Sequence, residues 1–190
     1  MLYPMNFSQR CCRSGILLLT LLFLAGGSRV LAQSGAPSAY QVEAAFLYNF
    51  GKFVSWPAGD FNRRNAPLVI GVFGDNPFHG DLQRMVTGKI INGHPVLFQA
   101  VATLAGAKGC HILFVSVSAQ KDAPEILGAL RGANVLTVTE NMPHFADSGF
   151  AINFVMEQEK IRFQINNPAA MQSRLAISSK LLSLAKPLEK

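Results

Sequence analysis

The chain has 190 residues, with 17 Lys and Arg against 11 Asp and Glu, for a net charge of +6. No basic stripe forms, Arg63-Arg64 being the densest local pair, and a nucleic-acid partner leaves no footprint in such a pattern. Three cysteines and four histidines are too scattered for a disulfide framework or a metal centre.

The first 32 residues read as a secretory signal. Arg10 and Arg13 are followed by an apolar run from Gly15 to Ala25, and Val30-Leu31-Ala32 presents a cleavage site. The run is too short to span a bilayer, which takes about 20 apolar residues. The mature chain is therefore expected to begin at Gln33 and not to cross a membrane. Cys11 and Cys12 leave with the signal, so Cys110 becomes the lone thiol. The charge falls to +3, from 14 basic and 11 acidic residues. Residues 33–39 (QSGAPSA) read as a flexible lead-in, and residues 40–190 as one domain.

Tyr40 to Ser55 shows helical spacing in Val42, Ala45, Phe46, Asn49, Phe50 and Phe53. Trp56-Pro57 ends it. Leu68–Phe73 (LVIGVF) is a strand buried on both faces. Asn76 and Pro77 are placed to cap and start a helix over Pro77–Val86. Asn92-Gly93 marks a turn, and Pro95–Val101 a second strand. Ala102–Gly109 is a small-residue connection with room for one helical turn. Cys110–Val117 is the third strand. Ala123–Leu130 is a helix after Asp122, and Val135–Val138 a fourth strand. Phe150–Met156 and Ile161–Ile165 form a hairpin around Glu157 to Lys160, with Arg162 and Gln164 sharing one face. A short helix runs from Asn167-Pro168 to Arg174. Leu175–Ile177 is extended, and Ser178-Ser179 caps a last helix. One continuous helix from Pro168 is the alternative. The order gives an α/β sandwich: a mostly parallel central sheet, an antiparallel hairpin at one edge, and helices on both faces.

Several segments carry chemistry to weigh. Gly74, Asp75 and Asn76 follow the first strand, where open α/β sheets bind ligands; a turn with a helix cap explains the same residues. Ser118 and Lys121 match S-x-x-K, without the companion elements of an acyl-enzyme site. None of His79, His94, His111 and His144 has a partner at ligand spacing. Glu43 is read as favouring a helix dipole, and no pair of carboxylates stands out. Cys110 is a small buried hydrophobe or a candidate redox thiol. The aromatics of the first helix serve either the core or a partner surface. No cofactor is implied.

Five blocks in order carry a resemblance. They are Val42–Phe50 leading to Phe53–Pro57, Gly74–Phe78, Cys110–Ser116, Ile161–Asn166 and Ser178–Ala185. Together they resemble the YfiR family, over nearly the whole chain after the signal. The resemblance implies a periplasmic regulator without catalytic residues. Such a regulator inhibits an inner-membrane diguanylate cyclase through its periplasmic region and lowers cyclic di-GMP. An outer-membrane OmpA-like lipoprotein relieves the inhibition, with consequences for biofilm. A homodimer is implied, and a link between disulfide state and stability. Some members of the family carry a cysteine in the first strand able to pair with the one resembling Cys110. Here that strand has none. Partner contacts are expected at Phe53, Trp56, Arg162, Gln164, Arg174 and Lys180. A periplasmic small-ligand-binding sensor acting on a histidine kinase is the second reading, and a Ser118/Lys121 hydrolase the third.

Overall fold

The computed structural model describes residues 37–61 and 65–188. The expected signal and the Arg63-Arg64 pair lie outside the described residues.

Helix α1 (Ala39–Phe53) begins at a capping box: Ser38 Oγ accepts from the Gln41 amide at 3.2 Å, and Gln41 Oε1 from the Ser38 amide at 3.0 Å. It stops before the expected Ser55. Val54 and Ser55 form β1, which pairs antiparallel with β9 (Ala176–Ile177), Val54 opposite Ile177. Val54 is β-branched and suits the extended chain that Trp56-Pro57 imposes. The buried face of α1 is Glu43, Ala44, Leu47, Phe50 and Gly51, rotated by one position from the expected stripe.

The main sheet contains β2 (Leu68–Phe73), β3 (Ile90–Ile91), β4 (His94–Val101), β5 (Ile112–Val115), β6 (Leu136–Glu140), β7 (Ile152–Glu157) and β8 (Lys160–Ile165). Its order is β3-β4-β2-β5-β6-β7-β8. The five middle strands are parallel, and β8 closes one edge as the expected hairpin partner of β7. The short β3 adds a second antiparallel pairing at the other edge, across an Asn92-Gly93 turn with both φ angles positive.

Alternate residues of β2 face opposite layers. Leu68, Ile70 and Val72 join the core under α1 and α2 (Asp81–Val86). Val69 and Phe73 pack with the core under α3 (Leu104–Lys108) and α4 (Ala123–Ala129). The first core is aromatic: Phe50 stacks on Phe154 with centroids 5.8 Å apart and meets Phe163 edge-on at 5.4 Å.

Several boundaries differ from expectation. Helix α2 starts at Asp81 rather than Pro77, because Asn76 Oδ1 accepts from the Phe78 amide at 3.0 Å and turns the chain. Cys110 and His111 precede β5, which ends at Val115, where a 3-10 turn (Val117–Asp122) begins. Helices α5 (Asn167–Gln172) and α6 (Ser179–Leu182) are separate. Arg174, at φ +55°, and β9 break the chain between them, which excludes the single continuous helix.

Candidate functional site

Two of the residues expected to contact a partner come together at the end of α1. The pairing of β1 with β9 brings α6 alongside, and Ser178 N donates to Phe53 O at 2.9 Å. Lys180 Nζ lies 5.6 Å from the centroid of the half-buried Phe53 ring, within cation–π range. Lys52 Nζ sits 4.2 Å over Tyr48 on the same helix. Leu184 is 63% exposed nearby in sequence. The result is an aromatic and cationic surface, suited to a protein partner.

The other expected contacts separate from this patch. Arg162 is exposed on β8. Gln164 is only 8% exposed, held by Asn153 Nδ2 at 3.1 Å, and is an interior hydrogen-bonding residue. Arg174 lies at the amino ends of β5 and β6. There Arg174 Nε donates to Asn134 Oδ1 at 2.8 Å, and Asn134 Nδ2 to Asp60 Oδ1 at 2.6 Å. These three residues line a polar cavity of about 390 Å³ that Lys108, Cys110 and His111 also border.

His111 Nδ1 accepts from the Val69 amide at 3.2 Å. Phe61 stacks between His111 and His94, with centroids 4.6 and 3.9 Å away, and Trp56 meets His111 edge-on at 6.0 Å. Burial lowers the His111 pKa; Asp60 opposes that shift and His94 adds to it. Cys110 is 4% exposed, and burial pushes its thiol up to about 11. Such a group is a thiol, not a thiolate, at neutral pH.

At the carboxyl ends of β2 and β5, the sheet has the switch point of a 2-1-3-4-5 doubly wound fold. The loop of Gly74, Asp75 and Asn76 does sit there. Gly74 has φ +89°, and a Cβ on it would stand 2.5 Å from Ser116 Oγ and 2.8 Å from Ser118 Oγ. Ser118 Oγ accepts from the Asp75 amide at 2.9 Å and pairs with Ser116 Oγ at 3.0 Å. The serines thus pack over the loop and tie it down. No hydrogen bond joins Lys121 to Ser118 among the described residues, so the S-x-x-K match has no acyl-enzyme geometry.

The structure also pairs two carboxyl groups that sequence reasoning left apart. Glu43 of α1 is 3% exposed and Glu140 at the end of β6 is 4% exposed. Glu43 is not an exposed first-turn residue favouring the helix dipole; it faces the core. Glu43 Oε2 is buried without a hydrogen-bond partner. Desolvation, then the Glu140 charge, pushes Glu43 up to about 8. Glu140 is also raised by burial, a shift that the Tyr40 hydroxyl and the Val117 amide oppose. A signal was present: Glu43, Leu47, Phe50 and Val54 recur at spacings of four, three and four.

An aromatic opening helix laid on a doubly wound α/β sheet, with an aromatic and cationic patch at its end, defines a doubly wound α/β domain. Among the described residues no three His, Cys, Asp or Glu side chains are grouped to hold a metal, and no helix is long and apolar enough to cross a membrane. The family model described as YfiR/HmsC-like matches residues 40–186, and the chain belongs to that family. The family is one of periplasmic regulators linked to cyclic di-GMP signalling, and its role is regulatory rather than catalytic. No curated protein matches the chain closely enough to be named as a relative.

Proposed function

We propose that this protein is exported, cleaved near Ala32, and acts from residue 33 onward as a single periplasmic domain. It binds the periplasmic region of an inner-membrane diguanylate cyclase and holds the enzyme in its inactive state. Binding one state of the cyclase more tightly than the other is enough to shift that equilibrium. An outer-membrane OmpA-like lipoprotein relieves the inhibition by competing for the regulator, which works as a homodimer. The observation that carries this reading is the family match over residues 40–186. The patch of Phe53 and Lys180 is the contact surface that fits it best, since it joins an apolar ring to a cation.

Deletion of the gene raises cyclic di-GMP, and the wild-type copy restores the low level. Phe53→Ala with Lys180→Ala, exported and folded, fails to restore it. An unchanged cyclic di-GMP level in the deletion strain, with the cyclase present, refutes the function. Full restoration by the double variant refutes the surface and leaves the function standing.

A further inference from the structure

Glu43 and Glu140 come from two separate elements. Helix α1 supplies Glu43 one turn from its capped start, and β6 supplies Glu140 at its carboxyl end. Both side chains are shut from water, and Glu43 Oε2 has no partner. A buried carboxylate without a partner is strongly disfavoured, and a second one beside it adds repulsion. Protonation removes the charge and with it both costs, because a carboxylic acid is neutral.

The charged neighbours offer no other relief. Arg84 of α2 is paired with Asp81, Lys180 of α6 lies over Phe53, Lys52 lies over Tyr48, and Lys186 binds Glu157 at 2.5 Å. Lys160 and Arg162 stand on the exposed outer end of β8, and Lys121 and Asp122 on the 3-10 turn. Neither glutamate forms an ion pair among the described residues, and Glu140 is the one charge that acts on Glu43. Tyr40, whose own pKa is raised by burial and by both glutamates, completes the cluster.

We propose that the Glu43–Glu140 pair is a proton-operated latch: while it carries a proton it seats the first turns of α1 on the end of β6, and when the proton passes to bulk water those turns loosen. The sign follows from the burial. In the unfolded chain Glu43 ionises in the ordinary carboxyl range, near 4.5; in the folded chain it does so at about 8. Between those values the folded state holds the extra proton, so its stability falls as pH rises and the loss is complete above the folded value. The latch goes beyond the inhibitor reading.

The test is a side-chain carboxyl 13C NMR titration of the exported protein from pH 4 to 9.5, with amide hydrogen exchange of residues 41–44 at each pH. Glu43 is expected to titrate with a midpoint at or above pH 7, and exchange at those amides to speed up at least tenfold between pH 6.5 and 9, after correction for intrinsic rates. Glu43→Gln, neutral and of the same shape, abolishes the pH-dependent part. Glu140→Gln lowers the Glu43 midpoint. A Glu43 midpoint below pH 7 overturns the proposal in the wild type alone, whether or not the variants fold. So does the same acceleration in Glu43→Gln. Neither readout involves the cyclase, so failure of the latch and failure of the inhibitor reading are separately visible.

Discussion

Replacing Gly71 with cysteine should build a disulfide to Cys110. Gly71 lies on β2 opposite Leu113 of β5. A Cβ at this position would run into Cys110 Sγ and stand 2.9 Å from Val101 Cγ2. The glycine makes room for the thiol, and its φ is not in the left-handed region, so a side chain strains no backbone. Two effects of opposite sign compete in Gly71→Cys. With both thiols reduced, the added sulfur overpacks a close-packed core, which costs about 1–3 kcal/mol. Oxidised, the clash becomes a bond closing a loop of about 40 residues, which stabilises by about 4 kcal/mol on chain-entropy grounds. At 2–4 °C per kcal/mol for a domain of this size, oxidation raises the Tm by roughly 8–16 °C over the reduced form.

The rate of bond formation is a second readout. With Cys110 pushed up to about 11, about one thiol in ten thousand is ionised at pH 7, and the thiolate is the attacking species. Closure is therefore slow at neutral pH and faster as pH rises. Diamide takes the two electrons and two protons. Melting by circular dichroism, with and without dithiothreitol, measures the stability, and intact mass confirms the loss of two hydrogens. Wild-type Tm should not respond to the reductant. If the oxidised variant forms quantitatively and melts no higher than the reduced one, the packing of Gly71 on Cys110 is wrong.

The aromatic core should tolerate truncation poorly: Phe50→Ala, with no exposed surface and three aromatic neighbours, should lose about 3–5 kcal/mol in urea unfolding. A loss below about 1 kcal/mol would contradict the packing of α1 on β7 and β8. At the switch point, Gly74→Ala combines a positive φ with the two serine hydroxyls, and should cost about 1–3 kcal/mol by the same assay. Asp75→Ala, exposed in the same loop with its backbone amide still bonded to Ser118, should change stability by less than about 0.5 kcal/mol.

The strands were legible wherever burial on both faces left an unbroken apolar run. Leu68–Phe73 is β2 to the residue, and the hairpin of β7 and β8 declared itself through its polar tip. Single-residue hydrogen bonds decided what the pattern missed. Asn76 has the right chemistry for a helix cap, and Pro77 the right φ, yet the Asn76 side chain closes a turn on Phe78 and α2 waits four residues. Val54 and Ser55 lie within the expected helix, but their backbone is claimed by Ala176 and Ile177, more than 120 residues away. Local pattern cannot weigh a partner at that distance.

The candidate site divides along the same line. Phe53 and Lys180 lie far apart in the sequence, and a pair of two-residue strands brings them to one place. Gln164 followed from strand alternation, which assumes a solvated outer face. That assumption fails where the chain after α6 returns to cover β8: Lys186 N bonds Phe163 O at 2.8 Å. Glu43 was the most instructive residue. The expectation of a helix-dipole residue passed over its spacing with Leu47, Phe50 and Val54, a stripe in which a carboxylate conflicts with what charge does in water. The conflict is itself the signal. A position that geometry buries and solvation disfavours is held by its neighbours' packing at a cost, and a proton is the cheapest way to remove that cost. The sequence could show that Glu43 was misplaced; only the fold could show that Glu140, from a strand almost one hundred residues later, makes the misplacement a pair.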